Sequence, residues 1–98
     1  MKTPRLSERE VQAGLDRLNG WSLNPQGEIT KTYVLQDFSK SLQFVNMVGY
    51  LAEKANHHPD ITVRWNKVQL SLSTHDSGGL TQKDLDLAQE TEKLYGAK

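Results

Sequence analysis

The chain has 98 residues, no cysteine, 36% hydrophobic residues, and 12 basic residues balanced by 12 acidic ones. That length makes one domain, residues 1–98, with a single modest core. The cancelled charge removes the footprint expected of a nucleic-acid or anionic-membrane binder, and the lack of cysteine excludes disulfides, thiolate chemistry and cysteine-based zinc sites.

No run approaches a membrane span, and Met1-Lys2-Thr3-Pro4 leads into a helix without a secretory apolar stretch, so a soluble cytoplasmic protein is expected. Ser7-Glu8-Arg9-Glu10 is a capping box: the Ser7 hydroxyl can accept from the Glu10 amide while the Glu10 carboxylate reaches back, with Leu6 stapled onto Val11. Val11, Leu15 and Leu18 mark one face of a first helix that should end near Gly20. Trp21-Ser22-Leu23 reads as a short strand and Asn24-Pro25-Gln26-Gly27 as a turn. Glu28 to Gln36 reads as a second strand with Ile29, Tyr33 and Leu35 on one side. Asp37-Phe38-Ser39 opens a second helix whose apolar face carries Leu42, Val45, Val48 and Ala52, flanked by Phe44, Leu51 and Ala55, and which stops before Pro59.

Ile61, Val63 and Trp65 then alternate with polar residues, as do Val68, Leu70 and Leu72, which predicts a hairpin turning at Asn66-Lys67. That register pairs Trp65 with Val68, Val63 with Leu70 and Ile61 with Leu72, and places Trp65 on the core face. Ser77-Gly78-Gly79 is a loop, and Thr81-Gln82-Lys83-Asp84 is a second capping box that starts a last helix. The order α-β-β-α-β-β-α implies an α+β fold, a four-stranded antiparallel sheet with three helices on one face. The opposite sheet face and an edge stay uncovered, which favours a homodimer or a dimer of dimers.

All three histidines fall between Glu53 and His75. His57-His58 closes the second helix, and His75 lies where the last strand runs out. If pairing continued to the strand ends, the hairpin would set His58 opposite His75. Imidazole is the side chain whose ordinary titration lets it give or take a proton near neutrality, so three at one point could divide the work of acid, base and orienting group. A zinc site with Glu53 as fourth ligand is the competing reading, but adjacent histidines lack the two- or four-residue spacing that puts ligands on one face. There is no phosphate-binding glycine loop and no serine or cysteine nucleophile motif.

Glu53-x-x-x-His57-His58-Pro59, followed by Trp65, His75 and Asp84, resembles the signature of the pterin-4a-carbinolamine dehydratases, also known as dimerisation cofactors of a homeodomain transcription factor. The resemblance covers essentially the whole chain, including Ser73-Thr74-His75-Asp76 and Gly79-Leu80-Thr81. It implies removal of water from a 4a-hydroxytetrahydropterin to give a quinonoid dihydropterin, the step that follows aromatic amino-acid hydroxylases. One acid and one base suffice for that reaction, without metal or cofactor. The resemblance makes His57 and His58 the proton-transfer pair, with His75 binding and assisting. It gives Glu53, Pro59, Ser73, Thr74 and Asp76 binding or orienting roles, with Glu53 expected to orient His57. Trp65 reads as core packing and Asp84 as a cap. Asn56 and Ile61 stand where animal members carry Asp and Trp. The remaining alternative is a non-catalytic dimerisation, coactivator or pterin-binding module, acting without the histidines or without turnover.

Overall fold

Ser7 starts the first element as the sequence requires. Its hydroxyl accepts from the Glu10 amide at 3.1 Å, and the Glu10 carboxylate accepts from the Ser7 amide at 2.8 Å. In this computed structural model, which describes residues 3–96, the elements are α1 (Glu8–Asp16), β1 (Ser22–Leu23), β2 (Ile29–Val34), α2 (Phe38–Ala55), β3 (Asp60–Arg64), β4 (Lys67–Leu72), a short 3-10 turn (His75–Ser77) and α3 (Gln82–Gly96). The helix α1 stops at Asp16, short of the expected Gly20, because the Arg17 and Leu18 amides tighten onto the Gly14 and Leu15 carbonyls.

The four strands form one antiparallel sheet in the order β1-β2-β4-β3. Ile29 faces Leu72 and Tyr33 faces Val68, so one sheet face carries an apolar row with Leu70, and these side chains are buried. The three helices cover that face: Val11 and Leu15 come from α1, Phe44, Val48 and Ala52 from α2, and Leu87 and Ala88 from α3. Gly14 lets α1 approach α3 closely, since a Cβ there would stand 2.5 Å from a Leu85 methyl. Thr30, Thr32, Thr62, Gln69 and Ser71 occupy the other face, which no helix covers.

Lys31 breaks the apolar row yet is satisfied within it. Its Nζ donates to the Asn19 carbonyl at 2.6 Å and pairs with Glu92 of α3 at 2.7 Å. The same carboxylate accepts from the Trp21 indole at 3.3 Å and from the Tyr33 hydroxyl. Burial, and then the bond to Glu92, push the Tyr33 phenol well above its ordinary range.

Four further sequence expectations are corrected. The β3–β4 turn is Trp65-Asn66, with Arg64 opposite Lys67, Val63 opposite Val68 and Ile61 opposite Leu70, a slip of two residues that preserves which face each side chain takes. The cause is tertiary: Lys67 is drawn into the β2–β4 ladder opposite Val34, while the Leu35 amide donates to the Asn66 carbonyl at 2.7 Å and pins the turn. Trp65 therefore leaves the core, sits at φ 52° and is 70% exposed. Pairing ends at Asp60 opposite Ser71, so no ladder carries His58 to His75. On α2, the buried stripe is Ser41, Phe44, Val48 and Ala52, and Leu42 faces outward. No helix among the described residues is long and apolar enough to cross a membrane.

Candidate active site around Asp84

The site begins with the way α2 ends. Asn56 caps the helix in the left-handed conformation, at φ 50°, and the His57 amide turns back to the Ala52 carbonyl at 3.0 Å. Pro59 lacks the amide that a further helical turn would use, so the chain leaves the helix and enters β3. Residue 57 is thus clamped to the helix end by backbone bonds before its side chain makes any contact.

The His57 ring is buried, and its Nε2–H donates to Asp84 Oδ1 at 2.5 Å. Asp84 lies in the first turn of α3 and is completely buried. Its other oxygen, Oδ2, accepts from the Thr81 amide at 2.9 Å and from the Thr74 hydroxyl at 2.8 Å. Asp84 is therefore a cap and more than a cap. The carboxylate that accepts from the Thr81 amide on one side holds a histidine on the other, and it ties the end of α2, the strand exit at Thr74 and the start of α3 to one point; the expected box is only half formed, since the Thr81 hydroxyl accepts from the Lys83 amide. A buried carboxylate is tolerable here because its three donors compensate the lost hydration.

His58 points elsewhere. It is exposed, and its Nε2 bonds the carboxylate of Glu53 one helical turn back. Glu53, which the resemblance assigns to orienting His57, bonds His58 instead, and Asp84 holds His57. The two adjacent rings diverge to separate carboxylates, as consecutive side chains do at a helix exit.

His75 opens the 3-10 turn and is exposed, with Asp76 exposed beside it. That turn is closed by Thr74 and Gly79, whose backbones exchange bonds of 3.0 and 3.3 Å. His75 lines a hollow of about 740 Å³ with Ser73, Arg5, Glu28 and Gly79, while His57 lines another of about 360 Å³ with Lys54, Lys83, Asp86 and Glu90. Among the described residues, no hydrogen bond joins one imidazole to another. The bridge between the two segments is instead Asp84, which grips His57 directly and Thr74 directly, the immediate chain neighbours of His58 and His75. The sequence offered Asp84 as the acidic end of a capping box and as a position of the family signature, but its hydrogen bond across 27 positions to His57 left no local signal.

Comparison with known proteins identifies the family. The family described as pterin 4 alpha carbinolamine dehydratase matches residues 4–94. A relative from Roseiflexus sp. (strain RS-1), named for pterin-4-alpha-carbinolamine dehydratase activity, is 51% identical over 92% of this chain and 96% of its own. One of the same name from Chloroflexus aurantiacus (strain ATCC 29366 / DSM 635 / J-10-fl) is 47% identical over 95% of this chain and 99% of its own. The crystal structure of a transcriptional coactivator/pterin dehydratase from Brucella melitensis superposes with a TM-score of 0.89 at 32% identity, covering 94% of this chain and 99% of that one. On the match over residues 4–94 and these relatives, the chain belongs to the pterin-4a-carbinolamine dehydratase family of hydro-lyases.

Proposed function

We propose that the protein eliminates water from 4a-hydroxytetrahydropterin by proton transfer through His57 and His58, returning a quinonoid dihydropterin to the cycle that serves aromatic amino-acid hydroxylases. In the reaction the C4a–O bond breaks as the leaving oxygen takes a proton, the neighbouring ring nitrogen supplies the electron pair, and the cation loses a proton. One group must give and another must take. The observation that carries this reading is Asp84: a fully buried carboxylate spent on fixing one imidazole beside another that has its own carboxylate. His75, with Ser73 and Asp76 around the 3-10 turn, binds and assists from the second segment that Asp84 anchors, and Thr74 is the anchor itself.

The test is to generate 4a-hydroxytetrahydropterin and follow its decay by ultraviolet absorption. Acceleration with a bell-shaped pH dependence is expected, because one group must start charged and the other neutral. No acceleration would favour a coactivator or pterin-binding role. The protein is further read as a homodimer: the polar sheet face, the edge strand β3 and the exposed Phe38, Leu42, Met47 and Tyr50 of α2 all lack cover within one chain. Light scattering at micromolar concentration should return twice the chain mass, and a monomer mass would reject that reading.

A further inference from the structure

We propose that Ser77 is a positioning residue for His75, fastening the turn that carries this histidine to residues 3–6; the kinetic part of its test rests on the dehydration proposed above, and the structural part does not. His75 opens a 3-10 turn of three residues, His75–Ser77, followed by Gly78 in the left-handed conformation at φ 72° and then by Gly79. So short a turn has weak hydrogen-bond geometry, and two consecutive glycines leave its far side with great backbone freedom. Bonds between Thr74 and Gly79 close the base of the turn, and the Ser77 and Gly78 amides bond carbonyls within it. None of these fixes where the tip stands relative to the helices.

The Ser77 side chain does. Its Oγ donates to the Thr3 carbonyl at 2.5 Å, across 74 positions. Among the described residues, this is the one hydrogen bond by which residues 75–78 reach beyond the turn. Thr3 is a firm anchor, because the residues after it are themselves tied down. Arg5 forms an antiparallel bridge with Thr81, and the Leu6 amide donates to the Leu80 carbonyl at 2.8 Å. Ser7 then caps α1, so the strap is continuous with a helix. The Arg5 side chain lies along Gly79, where a Cβ would stand 3.0 Å from Arg5 Nε and 3.1 Å from its Cδ. Residues 3–6 thus grip the turn near its base at Gly79 and Leu80 and at its tip through Ser77, and His75 and Arg5 line one hollow as a result. Losing the Ser77 hydroxyl leaves the base shut and frees the tip, so the His75 backbone gains freedom while the core stays as it is.

The experiment compares the full-length wild type with Ser77→Ala, which deletes the hydroxyl, Ser77→Thr, which keeps it, and Thr3→Ala, which keeps the accepting carbonyl. Amide hydrogen exchange at Gly78 and Gly79 should quicken about fivefold in Ser77→Ala, the factor for one neutral hydrogen bond, with the fully buried Val48 and Leu70 unchanged. Ser77→Thr and Thr3→Ala should exchange as wild type does. In turnover, Ser77→Ala should raise KM about fivefold and leave kcat within about twofold, because a binding group is loosened and the proton-transfer pair is untouched; Ser77→Thr should restore KM. Equal exchange at Gly78 and Gly79 in wild type and folded Ser77→Ala overturns the inference whatever the kinetics. Quickened exchange with an unchanged KM overturns it too, since the turn would then be fastened to no purpose at the site. A wild type without turnover overturns the dehydratase reading, and the exchange comparison alone then decides the fastening. If Ser77→Ala does not fold, deletion of residues 2–4, which removes the Thr3 carbonyl and leaves the turn's own sequence intact, carries the same comparison and the same opposing outcomes.

Discussion

Replacing Asp84 by asparagine probes the site at its centre, because the change keeps the volume and removes the charge. Three donors converge on the carboxylate, and one oxygen becomes an NH2 group that can no longer accept. The Thr81 amide cannot reverse its polarity, so the amide oxygen is held at the Oδ2 position and the NH2 group turns to His57. Two donors then face each other across 2.5 Å unless the ring moves its proton to Nδ1. That shift would exchange the lone pair on Nδ1 for a proton on the side of the ring that Asp84 does not engage. Hydrogen bonds to charged groups contribute ~1.5–3 kcal/mol each, and the variant keeps weakened forms of two, so a net stability loss of ~2–4 kcal/mol follows. The urea midpoint should fall by ~1–3 M. Turnover, measured where circular dichroism shows the variant folded, should drop ~10²–10⁴-fold, the range for losing a correctly protonated acid–base group. A folded Asp84→Asn protein with kcat within ~3-fold of wild type would refute the role given to the pair.

Asn56 holds α2 closed at φ 50°, so Asn56→Ala should cost ~1–2 kcal/mol in chemical denaturation while Asn56→Gly costs little or nothing; equal losses would mean that the left-handed cap does not govern the exit to His57. Tyr33 is held protonated by burial and by its bond to Glu92, so its contribution to stability is intact below the ordinary phenol value of 10.0 and is lost as pH rises above it, where the unfolded chain ionises first. Tyr33→Phe should flatten the fall in stability above pH 10, and an unchanged alkaline limb would contradict this. Trp21 is buried and Trp65 exposed, so Trp65→Phe should shift the fluorescence maximum to the blue; an unshifted spectrum would place Trp65 under cover, as at a subunit contact.

Much of the fold was legible in the sequence because its signals are local. Ser7 with Glu10 and Thr81 with Asp84 announce two helix starts, and alternation along Val68, Leu70 and Leu72 announces a strand with one buried face. The hairpin turn was not legible at residue level, since the choice between Trp65-Asn66 and Asn66-Lys67 is made by Leu35 and Val34 more than 30 positions away. Trp65 illustrates the same limit: its alternation fits the core face, yet the β2–β4 ladder claims Lys67 and pushes the tryptophan into the turn. At the site, residue types were readable and partners were not. Glu53 lies near both histidines in sequence, and only the divergence of their side chains assigns it to His58 and leaves His57 to Asp84.

The most direct measurement is the single-turnover decay of freshly generated 4a-hydroxytetrahydropterin with the His57→Ala/His58→Ala double variant beside wild type, both shown folded. Decay at the rate of buffer alone is the result expected if His57 and His58 are the proposed proton-transfer pair. Decay as fast as with wild type would contradict the assignment and move the chemistry to groups outside the Asp84 and Glu53 pairs.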